Sequence, residues 1–267
     1  MTLKVKVCGS CGEFVQGFFH GAPMLITCPI EKFSTVEISD EFSGVENLGE
    51  KSLSMLKKTL ELFEIKNFHC GIKLISELPR GKGMASSSAD LAAVAKAVAL
   101  FFGKNISVEQ IAELATSIEP TDGIFFSGVV AMNPVTGELL KNISVPKNLT
   151  VAIFDYGGEV DTLKFNRRSN FQIAALDDFL NFELVEKSAL ANQQILYKKN
   201  LREIISFAKN LGAVTVNIAH SGTVTGIFFR SDDKDIDAKI LEIARRFDFV
   251  KFLTKTNLID GGIYFNL

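Results

Sequence analysis

Residues 91–102 read Leu-Ala-Ala-Val-Ala-Lys-Ala-Val-Ala-Leu-Phe-Phe, with Lys96 as the one charge. A helix that is apolar on nearly every side needs protein around most of its circumference. It is also well short of the ~18 apolar residues that span a bilayer. The chain must therefore wrap sheet and further helices around this segment. Its 267 residues are ample for that, as one large domain or two of ordinary size.

The surrounding text supplies both kinds of element. LKVKV, MLITC and FSTVEIS alternate apolar and polar residues and predict three early strands. Ser52–Glu64 predicts a helix with Leu53, Leu56, Leu60 and Phe63 on one face. FHCGIKLIS (68–76) predicts another strand. Ser107 is placed to cap VEQIAELATSI, and Pro120 closes that segment. VVAMN and ELLKNISV flank a turn at Pro134–Gly137. After VPKN, near residue 148, the order reads strand (LTVAIFD), helices (about 170–210), strand (VTVNIA), strand (TGIFFR), helix (Lys234–Phe247), strands (FVKFLT, GIYFNL). This predicts an α+β protein with helices against a mainly antiparallel sheet. The expected division is 1–148 and 149–267.

Composition excludes several function classes. A net charge of −2, from 29 Lys+Arg against 31 Asp+Glu, argues against nucleic acid as the main partner. Only 3 His and 4 Cys are present; Cys8 and Cys11 form the one CxxC, too few ligands at the wrong spacing for a tetrahedral zinc site. MTLKVKVC lacks the apolar core of a signal peptide, so a soluble, cytoplasmic protein with no membrane partner is expected. The 23 Phe are expected to fill core.

Chemistry concentrates just before the apolar helix, in Pro79-Arg-Gly-Lys-Gly-Met-Ala-Ser-Ser-Ser-Ala-Asp90. Gly81 and Gly83 let the backbone turn tightly and approach a ligand. The serines stand where a helix start leaves unpaired N–H groups, and the dipole there favours an anion. Arg80 and Lys82 add positive charge. The parts suit a phosphate cradle, although a plain Gly/Ser helix cap would use the same residues. The segment matches neither GxxxxGK[ST] nor GxGxxG.

PRGKGMASSSA resembles the second motif of the GHMP kinases, close to P-x-x-x-G-L-G-S-S-A-A. Pro79, Gly83, Ser86, Ser87 and Ala89 match; Met84 stands for Leu, Ala85 for the last Gly and Ser88 for an Ala. Gly9-Ser-Cys-Gly-Glu-Phe-Val-Gln-Gly17 lies in the place of the first motif. It is similar to the form in the L-threonine kinases of adenosylcobalamin side-chain synthesis. RGKGMASSSAD, Glu119-Pro-Thr-Asp122-Gly, Val160–Arg168 and Ala219–Gly226 fit that subfamily in order along the chain.

The resemblance implies the two-domain GHMP fold: an N-terminal domain like ribosomal protein S5 domain 2 and a ferredoxin-like C-terminal domain. It implies ATP along Pro79, Arg80, Gly81, Lys82, Gly83, Met84, Ala85, Ser86, Ser87, Ser88 and Ala89. Ser87 and Glu119 would hold Mg²⁺, which takes few protein oxygens. Asp122 would be the base for the acceptor hydroxyl, or would orient it. Cys11, Glu13, Gln16, Asp161, Arg167 and Ser221 would line the acceptor pocket. Glu13 or Asp161 would meet an ammonium, and Arg167 or Arg168 a carboxylate. His220 is assigned no proton transfer. The expected activity is transfer from ATP to the hydroxyl of L-threonine. Another small alcohol (homoserine, mevalonate or a sugar) or a non-catalytic nucleotide-binding regulator is the alternative. A homodimer is left open.

Overall fold

The computed structural model describes residues 2–160 and 171–266. Residues 2–39 form one long hairpin, β1 (Thr2–Phe19) and β2 (Ala22–Ser39), rather than three short strands. The chain stays paired through the glycine-bearing stretch because register shifts at Cys8/Gly9, Ser10/Glu13 and Glu13/Val15 absorb its extra residues. Such bulges bend a strand and re-aim its side chains. Here they lie in the stretch that carries Glu13.

β3 (Gly44–Glu46), α1 (Glu50–Leu62) and β4 (Gly71–Ser76) follow, with β3 and β4 parallel. The buried stripe of α1 is Ser52, Met55, Leu56 and Thr59, while Leu53 is exposed. The helix is thus turned from the face its leucines predict. Small residues can face the protein there because Thr59 Oγ1 donates to the Met55 carbonyl and so satisfies its hydroxyl. α2 (Ser86–Phe101) begins five residues before the apolar run, and twelve of its sixteen residues are buried. It packs against β1, β2, α1 and α3 (Val108–Thr116). The Ser107 cap on α3 forms a full capping box with Gln110. β5 (Val129–Met132) and β6 (Leu139–Ile143) make the expected pair around Pro134–Gly137.

β7 (Leu149–Asp155), β8 (Gln172–Ile173), α4 (Phe182–Ala191), α5 (Leu201–Asn210), β9 (Thr215–Ile218), β10 (Val224–Arg230), α6 (Ile236–Arg246), β11 (Lys251–Asn257) and β12 (Ile263–Asn266) complete the chain. Neighbours run β11-β7-β10-β9, all antiparallel. Numbered among these four strands, the order is 4-1-3-2, the split βαβ pattern of ferredoxin-like folds. β9 then joins β1, and the path continues to β2, β4 and β3. β12 returns to pair with β1. A smaller apolar cluster drawn from residues 152–250 packs α5 and α6 on the sheet, beside the main core around α2. No helix among the described residues is long and apolar enough to cross a membrane.

β1 meets the loop before α2 where backbone touches backbone. Gly12 N–H donates to the Gly83 carbonyl and Ser10 N–H to the Met84 carbonyl, each at 3.0 Å. Gly12 has φ +58, and a Cβ there would lie 2.4 Å from the Ile218 carbonyl oxygen. Gly12→Ala should therefore cost more than ~2 kcal/mol, since it adds a backbone clash to the ~1–2 kcal/mol of a left-handed non-glycine residue. Gly103 has φ +65 with open space around its missing Cβ, so Gly103→Ala should cost only about 1 kcal/mol. Urea midpoints measure both; equal losses would contradict the close approach at Gly12.

Candidate active site

The 79–88 loop and the start of α2 line one wall of a cleft of about 620 Å³. Ala85, the residue before the helix, has φ +55 and supplies no side-chain cap. The first N–H groups of α2 are therefore not capped by the residue in front of them, and its first turn carries no acidic residue. That is the electrostatic setting for an anion. The three serines belong to this first turn. Ser prefers caps and turns to helix interiors, which is why the apolar run alone places the helix start too late.

The serines are spoken for from across the cleft. Ser87 Oγ donates to Glu119 Oε1, and Lys51 Nζ pairs with Glu119 Oε2. Glu119 is buried, so the ammonium offsets a carboxylate that would otherwise be costly there. Asp122 N–H donates to Ser88 Oγ at 3.1 Å, and Ser88 Oγ lies 3.5 Å from Asp122 Oδ2. Burial, followed by the charges of Glu13 and Glu119, pushes the Asp122 carboxyl up to about 8. Thr121, between the two carboxylates, has a buried Oγ1 with no partner among the described residues.

A hydroxyl beside a buried carboxylate is a hard-oxygen pair that suits Mg²⁺, with water and phosphate completing the shell. The chemistry of the donors at Ser87 and Glu119 therefore fits the ion. Among the described residues no three His, Cys, Asp or Glu side chains converge as an all-protein metal site.

The turn after β9 holds the cradle from behind. Thr223 N–H donates to the Lys82 carbonyl at 2.9 Å. A Cβ on Gly222 would lie 2.3 Å from the Lys82 carbonyl oxygen, and one on Gly83 2.3 Å from the Ala219 Cβ. Glycine at both positions is what lets these turns touch. The buried Lys198 donates to the Ala219 and Gly222 carbonyls, and burial pulls its ammonium down to about 8.

Arg80, Gly81, Gly83, Met84, Ala85, Ser86, Ser87, Ser88, Glu119, Asp122, Glu13, Gln16 and Ser221 all line the cleft. Lys82 does not present a free charge to it, because Nζ pairs with Asp155 at 2.8 Å. Cys11, expected in the acceptor pocket, does not line the cleft. It is fully buried, with Sγ directed at Asn217, because the bulged strand turns Glu13 and not Cys11 toward the cleft. Its CxxC neighbour Cys8 faces the Ile124 carbonyl instead. Asp161, Arg167 and Arg168 lie outside the described residues. Lys51 is a cleft residue that no motif announced, and Asp90 closes the loop motif, which assigns it no role there. Lys51 opens an ordinary surface helix. Asp90, held by Ser34 Oγ at 2.5 Å and pushed up to about 6 by burial, looks in sequence like a helix-start acid. Lys51 and Arg80 are the basic residues of the lining, against Glu13, Glu50, Asp90, Glu119 and Asp122.

Comparison with known proteins agrees with this geometry. Residues 48–128, which span α1, the loop, α2 and the Glu119–Asp122 segment, match the GHMP kinases N terminal domain. The L-threonine kinase of Citrobacter freundii is 28% identical over 252 residues, covering 85% of this chain and 86% of that protein. The L-threonine kinase of Salmonella typhimurium is 27% identical, covering 85% and 83%. The crystal structure of homoserine kinase from Cytophaga hutchinsonii superimposes with a TM-score of 0.70 at 17% identity, covering 99% of this chain and 97% of that one. Motifs, cleft and fold agree: residues 48–128 carry a GHMP kinase N-terminal domain, and the whole chain shares its fold with homoserine kinase.

Proposed function

We propose that the protein transfers the γ-phosphoryl group of ATP to the hydroxyl of L-threonine, giving ADP and O-phospho-L-threonine for adenosylcobalamin side-chain synthesis. The observation that carries the phosphotransfer is the Ser87–Glu119 pair and Asp122 at the open N-terminus of α2. The similarity to L-threonine kinases over most of the chain carries the choice of acceptor.

Phosphoryl transfer asks the protein mainly for positioning and charge. Backbone N–H groups of Ser86–Ser88 would take phosphate oxygens, with Arg80 and Lys51 adding charge at that end. Mg²⁺ bound at Ser87 and Glu119 would neutralise phosphate charge. Lys51 would exchange its contact with Glu119 for one with phosphate. Asp122 would orient the acceptor hydroxyl and receive its proton as the new P–O bond forms. Thr121 Oγ1 and Gln16 offer polar contacts, and Glu13 would face the ammonium. Asp161 and Arg167 remain proposed contacts of the acceptor, with Arg167 toward its carboxylate. The 1–148 half would carry the nucleotide, and 149–267 would close the cleft through Ser221.

ADP release measured with a panel of alcohols tests the reading. L-Threonine should be turned over fastest. Fast turnover of homoserine, mevalonate or a sugar with none of threonine would overturn the acceptor, and no turnover of any hydroxyl would overturn the kinase reading.

Asp122→Asn should lower kcat at least ~100-fold, the usual worth of a positioned base. In the wild type, kcat/KM for the acceptor should fall as pH drops below about 8, and the variant should lose this limb. Stability should move the other way. A carboxyl raised in the native state holds a proton that the unfolded chain releases near pH 4, so stability declines as pH rises from about 4 to about 8. Asp122→Asn should therefore unfold at higher urea than the wild type at pH 8, and the gain should vanish at low pH.

Ser87→Ala should raise the KM for Mg-ATP about tenfold and leave the KM for L-threonine within about twofold, as expected for a lost metal-shell oxygen. An unchanged Mg²⁺ titration would remove Ser87 from the metal site.

A further inference from the structure

Behind the acceptor end of the cleft lies a buried polar network on elements far apart in sequence. Glu13 on β1 receives two hydrogen bonds on one oxygen. His220 N–H donates to Oε2 at 3.0 Å, and His220 Nδ1 meets the same oxygen at 3.1 Å. A carboxylate only accepts, so Nδ1 carries the proton. The far side of the ring is tied down as well. Nε2 lies 2.9 Å from Ser188 Oγ on α4, and Ser188 Oγ also receives Gln16 N–H at 2.9 Å. Asn192 Nδ2 donates to the His220 carbonyl. Lys198 neighbours this network, but its ammonium is engaged by the Ala219 and Gly222 carbonyls. His220 is 1% exposed and Ser188 0%, so the ring does not reach the cleft.

The consequence falls on Glu13. Both donors occupy Oε2, which leaves Oε1 without a hydrogen-bond partner among the described residues, on a side chain that lines the cleft. A free carboxylate side chain would sample several rotamers, whereas this one is held through backbone and ring together. Burying an acid with one oxygen held and the other open makes sense if a ligand donor completes it.

We propose that His220 is a positioning residue for substrate selection: it holds Glu13 so that Oε1 receives the primary ammonium of an amino-acid acceptor. This deepens the reading given above and rests on it, because Glu13 must meet that ammonium. His220 moves no proton in the reaction. It sets which alcohols are accepted, favouring those with an ammonium group over otherwise similar hydroxy acids.

The test compares kcat/KM for L-threonine and for 3-hydroxybutyrate, which keeps the methyl, hydroxyl and carboxylate and lacks the amine. The wild type should prefer threonine by at least ~100-fold, as sites built around a buried polar partner do. Glu13→Gln should cut that ratio at least tenfold. Two His220 variants then separate positioning from bulk structure. In His220→Asn the amide nitrogen is as many bonds from Cα as Nδ1, so the donor to Glu13 is kept. In His220→Gln the terminal amide reaches the Nε2 position, where its oxygen can accept from Ser188 Oγ, so that contact is kept and the side-chain donor to Glu13 is lost. The Asn variant should retain the ratio within about threefold. The Gln variant should lose it at least tenfold, with the KM for ATP unchanged.

Equal losses in the two folded variants, or an unchanged ratio in His220→Gln beside a collapsed one in Glu13→Gln, would overturn the role of His220. A wild type without preference for the amine, or a Glu13→Gln that keeps it, would overturn the underlying reading of Glu13. If thermal melts show that His220→Gln does not fold, His220→Asn decides alone: retained selectivity supports the proposal, and lost selectivity in a folded protein overturns it.

Discussion

Three stretches of backbone, far apart in sequence, touch at the N-terminus of α2, and the site depends on that contact. The Gly9–Gly12 stretch of β1 donates to the carbonyls of Gly83 and Met84, and the turn after β9 donates to that of Lys82. Glycine at 12, 83 and 222 removes the Cβ atoms that would hold these stretches apart. Because the loop carbonyls are satisfied from behind, its N–H face and the start of the helix can be given to the cleft. The long buried helix behind them anchors the arrangement. The same junction joins β9 to β1, so the loop and the pairing of these two strands are one feature.

On this frame the cleft separates its charges. Lys51 and Arg80 bring positive charge to a lining otherwise rich in carboxylates. Glu119 is compensated by Lys51 and a serine hydroxyl, and Glu13 accepts two hydrogen bonds from His220. Asp122 has no cation within hydrogen-bonding distance among the described residues, only Ser88, and burial drives its carboxyl upward. Three acids in one cleft thus acquire different characters from their neighbours: one suited to a metal, one to a fixed cation, one to holding a proton.

Much of this was legible in the residues. The apolar run pointed to a buried helix, the Gly/Ser loop marked where it starts, and Ser107 with Gln110 wrote a capping box that is present. The strand–helix order of the second half led to a mainly antiparallel α+β arrangement, and the 4-1-3-2 order follows it. What escaped depends on contacts between distant segments. Bulges that keep β1 continuous through Gly9–Gly17 decide that Glu13 faces the cleft while Cys11 is buried against Asn217. Lys51 carries no local signal, since its meaning comes from Glu119, 68 residues away. His220 reads as a turn residue until Glu13 and Ser188 are seen on either side of its ring. Lys82 looked like a phosphate ligand by position, but the paired Asp155 lies on β7.

A crystal structure with a non-hydrolysable ATP analogue, Mg²⁺ and L-threonine tests the account most directly. Phosphate oxygens should lie on the N–H groups of Ser86–Ser88, the metal on Ser87 and Glu119, the threonine hydroxyl within hydrogen-bonding reach of Asp122, and its ammonium on Glu13 Oε1. Phosphates bound away from the α2 N-terminus, or threonine with its hydroxyl out of reach of Asp122, would contradict it.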